Sequence, residues 1–238
     1  MRSLPLRYRD RMDMTPQRWA DTGAYLRDVF GRQDEQLATL MPRAVAAGLP
    51  DIAVSADVGR LLMILASMTP GDASGRRTAV EVGTLGGYSG IWLARGLGEG
   101  GRLITIEPEA RHADFAQREF EAAGLGSRVE IRRGTGLDEL PKLVNELGPG
   151  SIDVLFLDAL KREYPRYFEV ARPLIRRGGL LLADNALGAG SWWIDEPAGM
   201  NPDRDGADRL NRMVAADPDF EAVCVPIREG VLIARPVR

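Results

Sequence analysis

The sequence predicts an α/β fold. Its core is a mostly parallel sheet with helices on both faces, closed by an antiparallel strand pair and preceded by extra helices. Three observations predict it. Residues 78–183 alternate short apolar runs with segments of helical period, the pattern of repeated strand–helix units. The runs at 220–225 and 231–234 flank a short turn, Arg228-Glu229-Gly230, so the last pair is antiparallel. Residues before 70 carry helix signals only.

The elements follow in order. Thr15-Pro16 starts the first helix, with Thr as N-cap and Pro at the first helical position. A second helix covers 33–47 and stops at Gly48-Leu49-Pro50. A third begins near Ser55, carries Val58, Leu61, Leu62 and Leu65 on one face, and ends at Thr69-Pro70-Gly71. Seven strands are predicted, at 78–83, 101–107, 127–132, 152–157, 179–183, 220–225 and 231–234. Helices are predicted at 88–97, 109–123 and 164–175. Residues 186–206, rich in Gly, Pro and Asp and holding Trp192 and Trp193, read as a long loop; long ordered loops in compact domains are usually functional. There is no internal repeat. The whole chain, 1–238, reads as one domain, with a helical region at 1–70 and an α/β core at 75–238.

The composition excludes several function classes. With 238 residues, 45% hydrophobic and 27% charged, the chain suits one globular domain with a full core. Net charge is -3, and Arg alternates with Asp and Glu without a basic stripe, which disfavours a nucleic-acid partner. A single Cys, Cys224, excludes internal disulfides and Cys-based metal clusters. A single His, His112, excludes a multi-His metal site; it falls in a predicted surface helix and is read as having no role. Lys142 and Cys224 are read as structural. No apolar stretch approaches the roughly 18–20 residues that span a bilayer. Residues 1–13 lack the apolar core of a secretory signal, so a cytoplasmic protein without a membrane partner is expected.

Lys161 draws attention because the 31 basic residues include only two lysines, Lys142 and Lys161. It follows a buried-strand pattern in Leu157-Asp158-Ala159-Leu160-Lys161, and the next strand ends in Asp184-Asn185. Arg is effectively never deprotonated near neutrality, whereas Lys can act as a base. A Lys beside three oxygen-bearing side chains suggests a divalent cation and a proton acceptor. The plainer alternatives are a solvated helix-start residue, an Asp158–Lys161 ion pair, and a simple Asp-Asn turn.

Glu81-Val82-Gly83-Thr84-Leu85-Gly86-Gly87-Tyr88-Ser89 follows the first strand and opens a helix, and its glycines let a ligand approach the backbone. The spacing Gly-x-x-Gly-Gly differs from the Gly-x-Gly-x-x-Gly that cradles a pyrophosphate. Glu107 ends the second strand, where an acid can hold both hydroxyls of a ribose. Together these imply a nucleoside ligand and disfavour NAD. A tight turn with an exposed Glu is the alternative.

With the later motifs, the chain resembles the cation-dependent group of S-adenosylmethionine O-methyltransferases, which includes the catechol and caffeoyl-CoA enzymes. The look is nearest to the bacterial small-molecule branch. The resemblance runs from Thr15-Pro16-Gln17-Arg18-Trp19 to Pro226-Ile227-Arg228-Glu229-Gly230. Its most specific pieces are the Glu81–Ser89 run, Asp158-Ala159-Leu160-Lys161 and Asp184-Asn185. It implies a Rossmann-like class I methyltransferase fold, S-adenosylmethionine as cofactor, a divalent cation and a homodimer. It implies that Glu81, Gly83 and Ser89 line the methionine end of the cofactor, with Thr84 and Asp158 beside it, and that Glu107 binds the ribose. Thr135, in the unusual turn Gly134-Thr135-Gly136, falls where adenine is expected. Asp158, Asp184 and Asn185 would hold the cation and Lys161 would be the base. Trp192 and Trp193, in the predicted loop, read either as walls of the acceptor pocket or as loop anchors.

The sequence departs from the family in two further places. Many relatives carry an acid where this chain has Leu160, and a bulky or basic residue within the run that here is Ala186-Leu187-Gly188-Ala189-Gly190. The second loop shapes the acceptor pocket, so the acceptor does not carry over by analogy.

The chemistry explains these residue types. Methyl transfer to oxygen needs a phenolate-like nucleophile, and ionising a phenol at neutral pH costs roughly 4 kcal/mol. A divalent ion on that oxygen reduces the cost and orients the acceptor. Two carboxylates and a carboxamide suit a hard ion such as Mg²⁺. The expected reaction is O-methylation of a small catechol-like aromatic. The alternatives are methylation of wobble uridine in transfer RNA, which the acidic balance disfavours, a nicotinamide-dependent oxidoreductase, and a cofactor-binding pseudoenzyme.

Overall fold

The computed structural model describes residues 15–188 and 197–237. Among the described residues three helices come first: α1 (Pro16–Phe30), α2 (Glu35–Ala46) and α3 (Ala56–Ser67). Strands and helices then alternate through β1 (Thr78–Val82), α4 (Tyr88–Gly96), β2 (Arg102–Glu107), α5 (Ala110–Ala122), β3 (Val129–Arg133), α6 (Gly136–Leu147), β4 (Ile152–Leu157), α7 (Tyr164–Ala171) and β5 (Ile175–Ala183). The chain closes with α8 (Pro202–Ala216), β6 (Phe220–Val225) and β7 (Val231–Pro236).

The seven strands form one sheet in the order β3-β2-β1-β4-β5-β7-β6. The first five are parallel, and β7 runs antiparallel to both β5 and β6. This is the sheet that the apolar runs predict. Strand order reverses between β1 and β4, and open α/β sheets bind ligands at the carboxyl edge of such a switch.

Period-two alternation splits the core into two layers. On one face Ala79, Leu103, Val154, Phe156 and Leu182 pack with Leu37, Leu62, Ile91 and Phe120 of α2, α3, α4 and α5. On the other, Val80, Ile104, Leu155 and Leu181 pack with Leu143, Phe168 and Leu210 of α6, α7 and α8. By contrast α1 buries none of its residues, and Trp19, Tyr25, Val29 and Phe30 are exposed.

Three expectations need correction. Residues 136–147 form α6, which the strand–helix reading left without an element. Thr135 caps it by accepting from Asp138 N, and acids fill the first turn as the helix dipole favours. Residues 186–206 are not all loop, because α8 begins at Pro202. Asn201 Oδ1 accepts from Asp203 N (2.9 Å) and Arg204 N (3.2 Å), satisfying first-turn donors. The predicted helix over 164–175 stops at Ala171 and passes through a short 3₁₀ turn holding Pro173, so β5 starts at Ile175 rather than Gly179. The register steps from Ile152↔Ile175 to Val154↔Leu180, a bulge that absorbs Arg176, Arg177 and two glycines.

Candidate active site

A cavity of about 650 Å³ opens at the carboxyl edge of β1, β2 and β4. Its size suits a nucleoside with an appended chain. The turn after β1 forms its floor. Gly83 there has φ +104°, and a Cβ would lie 2.2 Å from the Asp158 carbonyl oxygen, so only glycine lets β1 pass this close to the end of β4. Gly87 is left-handed at the N-cap of α4. Gly90 lies one turn on, where a Cβ would meet Phe120 Cζ at 2.8 Å and Glu81 Oε2 at 3.0 Å.

Behind this floor Glu81 is fully buried on β1. Ser89 Oγ donates to its Oε1 (2.6 Å) and Thr105 Oγ1 to its Oε2 (2.7 Å). Thr84 Oγ1 lies 2.6 Å from Thr105 Oγ1 and extends the chain of hydroxyls to the cavity wall. Burial pushes the Glu81 carboxyl up to about 7, against the two hydroxyl donors, and the charges of Asp158 and Glu107 add to the rise. Glu81 thus meets the cavity through Ser89 rather than lining it.

Glu107 does line the cavity, already held in place. Its Oε2 accepts from Thr84 N (3.2 Å) and Leu85 N (2.8 Å), and its Oε1 accepts from Glu109 N (3.0 Å). His112 Nδ1 lies 3.3 Å from Oε1. His112 therefore stands in the cavity wall, not on a bare surface helix as its sequence context suggests. It points inward because α5 starts at Ala110, which turns its first-turn residues toward the end of β2.

The second group of functional side chains comes from β4 and β5, which are adjacent and parallel. Asp158 follows β4 and accepts from Lys161 Nζ at 2.9 Å, and both line the cavity. Lys161 opens a 3₁₀ turn and lies 5.6 Å from the Tyr164 ring centroid, a cation–π placement. Helix α8 backs this turn. Asp203 Oδ1 accepts from Arg162 N (3.1 Å), and at Gly206 a Cβ would lie 2.3 Å from the Lys161 carbonyl oxygen. Asp184 follows β5 and is almost fully buried, with Oδ1 lacking a hydrogen-bond partner. Burial, then the charge of Asp158, pushes its carboxyl up to about 7, against the pull of Arg228 and Lys161. Asn185 takes the left-handed conformation (φ 53°), which Asn tolerates better than most residues, and lines the cavity. Buried Tyr164 Oη donates to the carbonyls of Leu157 (2.9 Å) and Asp184 (3.2 Å), tying the two strand ends together.

The structure therefore gathers Gly83, Thr84, Ser89, Glu107, Asp158, Lys161 and Asn185 on one cavity, with Glu81 and Asp184 directly behind its wall. Thr135 is not brought there: it is exposed, and its hydroxyl is bonded to Asp138 at the start of α6. Trp192 and Trp193 lie outside the described residues. The sequence reading also missed Tyr88, Arg228 and the wall at Pro50, Ile52, Ala53 and Val54. No periodic signal points to these, because they come from loops and a helix that only tertiary packing brings over the sheet edge.

Among the described residues no group of three or more His, Cys, Asp and Glu is placed to hold a metal. The donor set is instead two carboxylates and one carboxamide. That set fits a hard divalent cation, and the buried, unpartnered Asp184 Oδ1 is the atom that such an ion would satisfy.

Comparison with known proteins agrees with this geometry. The model of the family described as O-methyltransferase matches residues 28–237. A catechol O-methyltransferase of Niastella koreensis is 40% identical over 198 residues, 83% of this chain and 86% of that one. The solved O-methyltransferase from Bacillus cereus in complex with SAH superposes with TM-score 0.80 at 36% identity, covering 92% of this chain and 99% of that chain. The O-methyltransferase TomG from Streptomyces achromogenes in complex with SAM gives TM-score 0.80 at 33% identity, covering 95% of this chain and all (100%) of that one.

Proposed function

We infer the reaction from a plain premise: this chain belongs to the class I S-adenosylmethionine-dependent O-methyltransferase family, and is an enzyme of that kind. The acceptor and the cation dependence are the proposal. The reaction is divalent-cation-dependent methylation of a hydroxyl on a small, catechol-like aromatic. One observation carries it: Asp158, Lys161, Asp184 and Asn185 converge at the cavity, with Asp184 Oδ1 buried and unpartnered. The catechol O-methyltransferase name of the Niastella relative supports the acceptor class.

Each group of residues then has a role. Gly83 and Ser89 hold the methionine end of the cofactor against the backbone, and Glu81 orients Ser89 from behind. Glu107, fixed by three backbone N–H groups, meets the ribose hydroxyls already aligned. Asp158, Asp184 and Asn185 would hold the cation, with Mg²⁺ the best match to an all-oxygen donor set. The cation supplies Lewis-acid polarisation of the acceptor hydroxyl, and the cofactor supplies the methyl group. As the neutral amine, Lys161 Nζ would take the proton from that hydroxyl and become the ammonium that pairs with Asp158, held in reach by the Arg162–Asp203 pair and the Tyr164 ring. Ile52, Ala53, Val54 and Leu160 give the acceptor an apolar wall.

The test is an assay on a panel of ortho-dihydroxy aromatics with and without EDTA. Activity should vanish on chelation and return with Mg²⁺, while calorimetry shows S-adenosylhomocysteine still binding in EDTA. Full turnover in a chelated, metal-free sample would remove the cation from the mechanism and leave the family assignment intact.

A further inference from the structure

Arg228 stands in the turn between β6 and β7, at the edge of the candidate cation site. Its backbone is left-handed (φ 51°), and the turn is tied to the segment after β5. Ala186 N donates to Gly230 O (2.9 Å) and Leu187 N to Glu229 O (2.8 Å). From this fixed base the guanidinium reaches three partners. Nη1 donates to Ala53 O at 3.2 Å, Nη1 lies 3.7 Å from Asp184 Oδ2, and Nε lies 2.5 Å from Glu229 Oε2.

The contact with Asp184 is longer than a hydrogen bond, so its effect is Coulombic. Asp184 is nearly fully buried, and an unpaired charge there would be costly. Among the described residues Arg228 is the cation paired with it, as Lys161 is with Asp158. Asp158 and Asp184 thus each face a protein cation before any metal enters, and Arg228 is shared between Asp184 and the Glu229 carboxylate. A dication on Asp184 must outcompete the guanidinium. Arg228 can yield without becoming unpaired, because Glu229 already holds its Nε. Its hold on Ala53 also links the Asp184 end of the site to the apolar wall.

We propose that Arg228 is a positioning residue that stands in for the cation at Asp184 and thereby weakens the site's affinity for divalent metal. This rests on the cation-site reading of Asp158, Asp184 and Asn185. In use it makes the site accept metal best when an ionised acceptor oxygen arrives with it and offsets the added charge.

The experiment is calorimetric titration of Mn²⁺ into the full chain saturated with S-adenosylhomocysteine, comparing wild type, Arg228→Met and Arg228→Lys. Arg228→Met should bind Mn²⁺ at least about tenfold more tightly, and Arg228→Lys should stay within about threefold of wild type. Thermal melts separate tuning from a purely structural role. In EDTA the Met variant should melt below wild type, and Mn²⁺ should raise its Tm by more than it raises that of wild type. A strut with no part in cation binding would lower Tm equally with and without metal. Equal or weaker Mn²⁺ affinity in a folded Met variant overturns the inference and leaves the cation site standing. If none of the three proteins binds Mn²⁺ while all bind S-adenosylhomocysteine, the cation-site reading falls, and this inference with it.

Discussion

Lys161 is where one side chain decides between two chemistries. It donates to Asp158 at 2.9 Å, as a strut would, and it also faces the cavity, as a base must. Lys161→Arg keeps the charge and the ion pair but removes proton acceptance at working pH. The expected outcome is a fall in kcat on the order of 10²–10⁴-fold at saturating substrate, the range for a positioned acid–base group. Affinity for S-adenosylhomocysteine should hold within about threefold. An Arg variant near wild-type kcat, with only Lys161→Ala impaired, would make the residue a strut. Both lysines were legible in the sequence because Arg outnumbers them so heavily. Their difference was not: Lys142 pairs with Glu139 on α6 away from the cavity, while α8 presses Lys161 into it.

At the scale of elements, the turn after β1 carries the most constraint. At Gly83 the positive φ and the Asp158 carbonyl 2.2 Å from a would-be Cβ act together, and the obstacle is backbone rather than a flexible side-chain tip. Gly83→Ala should therefore cost about 2–4 kcal/mol in denaturant unfolding, more than an exposed positive-φ glycine. It should also weaken S-adenosylhomocysteine binding, because β1 and β4 must move apart. A variant with unchanged midpoint and unchanged binding would show that the turn is free to relax. The Gly-rich turn and its strand were readable because apolar run, glycines and helix start are contiguous. Helix α6 was not read, although Leu140, Leu143, Val144 and Leu147 have helical spacing; Pro141 and the preceding Gly134 and Gly136 mask the pattern. Helix α8 was lost in a Gly- and Pro-rich stretch whose helix start, Asn201-Pro202 with Asp203 and Asp205, is a start signal in its own right.

For the molecule as a whole, two buried carboxylates at the sheet's carboxyl edge set a pH dependence. Glu81 and Asp184 are each pushed up to about 7, mainly by burial. A raised folded-state value means the folded chain keeps a proton that the unfolded chain releases. Stability from these groups is full below the unfolded values and is lost as pH rises toward about 7. The lowered carboxylates, such as Asp34 and Glu130, act in the opposite sense, and below that window. The expected outcome, by urea unfolding in EDTA, is falling stability between about pH 5 and 7, with Glu81 contributing on the order of 3 kcal/mol. Glu81→Gln should flatten the slope and leave the part due to Asp184. An identical slope in that variant would show that Glu81 stays ionised across the range.

The sequence by itself determined the sheet, its antiparallel close and the motif residues at the strand ends. Those are properties of contiguous segments: alternation, glycine at a positive φ, an acid after an apolar run. Only the tertiary structure decided which of them meet. It placed Asp158 and Asp184 side by side because β4 and β5 pair in register at these ends, although they stand 26 positions apart in the chain. It turned His112 toward Glu107, left Thr135 on the surface as a helix cap, and brought Arg228 and the wall at Ala53 over the cavity. These contacts join positions far apart in the chain, and no local pattern encodes them. They arise when the apolar faces of eight helices and seven strands are buried together, among the described residues, and the loops between them settle on one edge of the sheet.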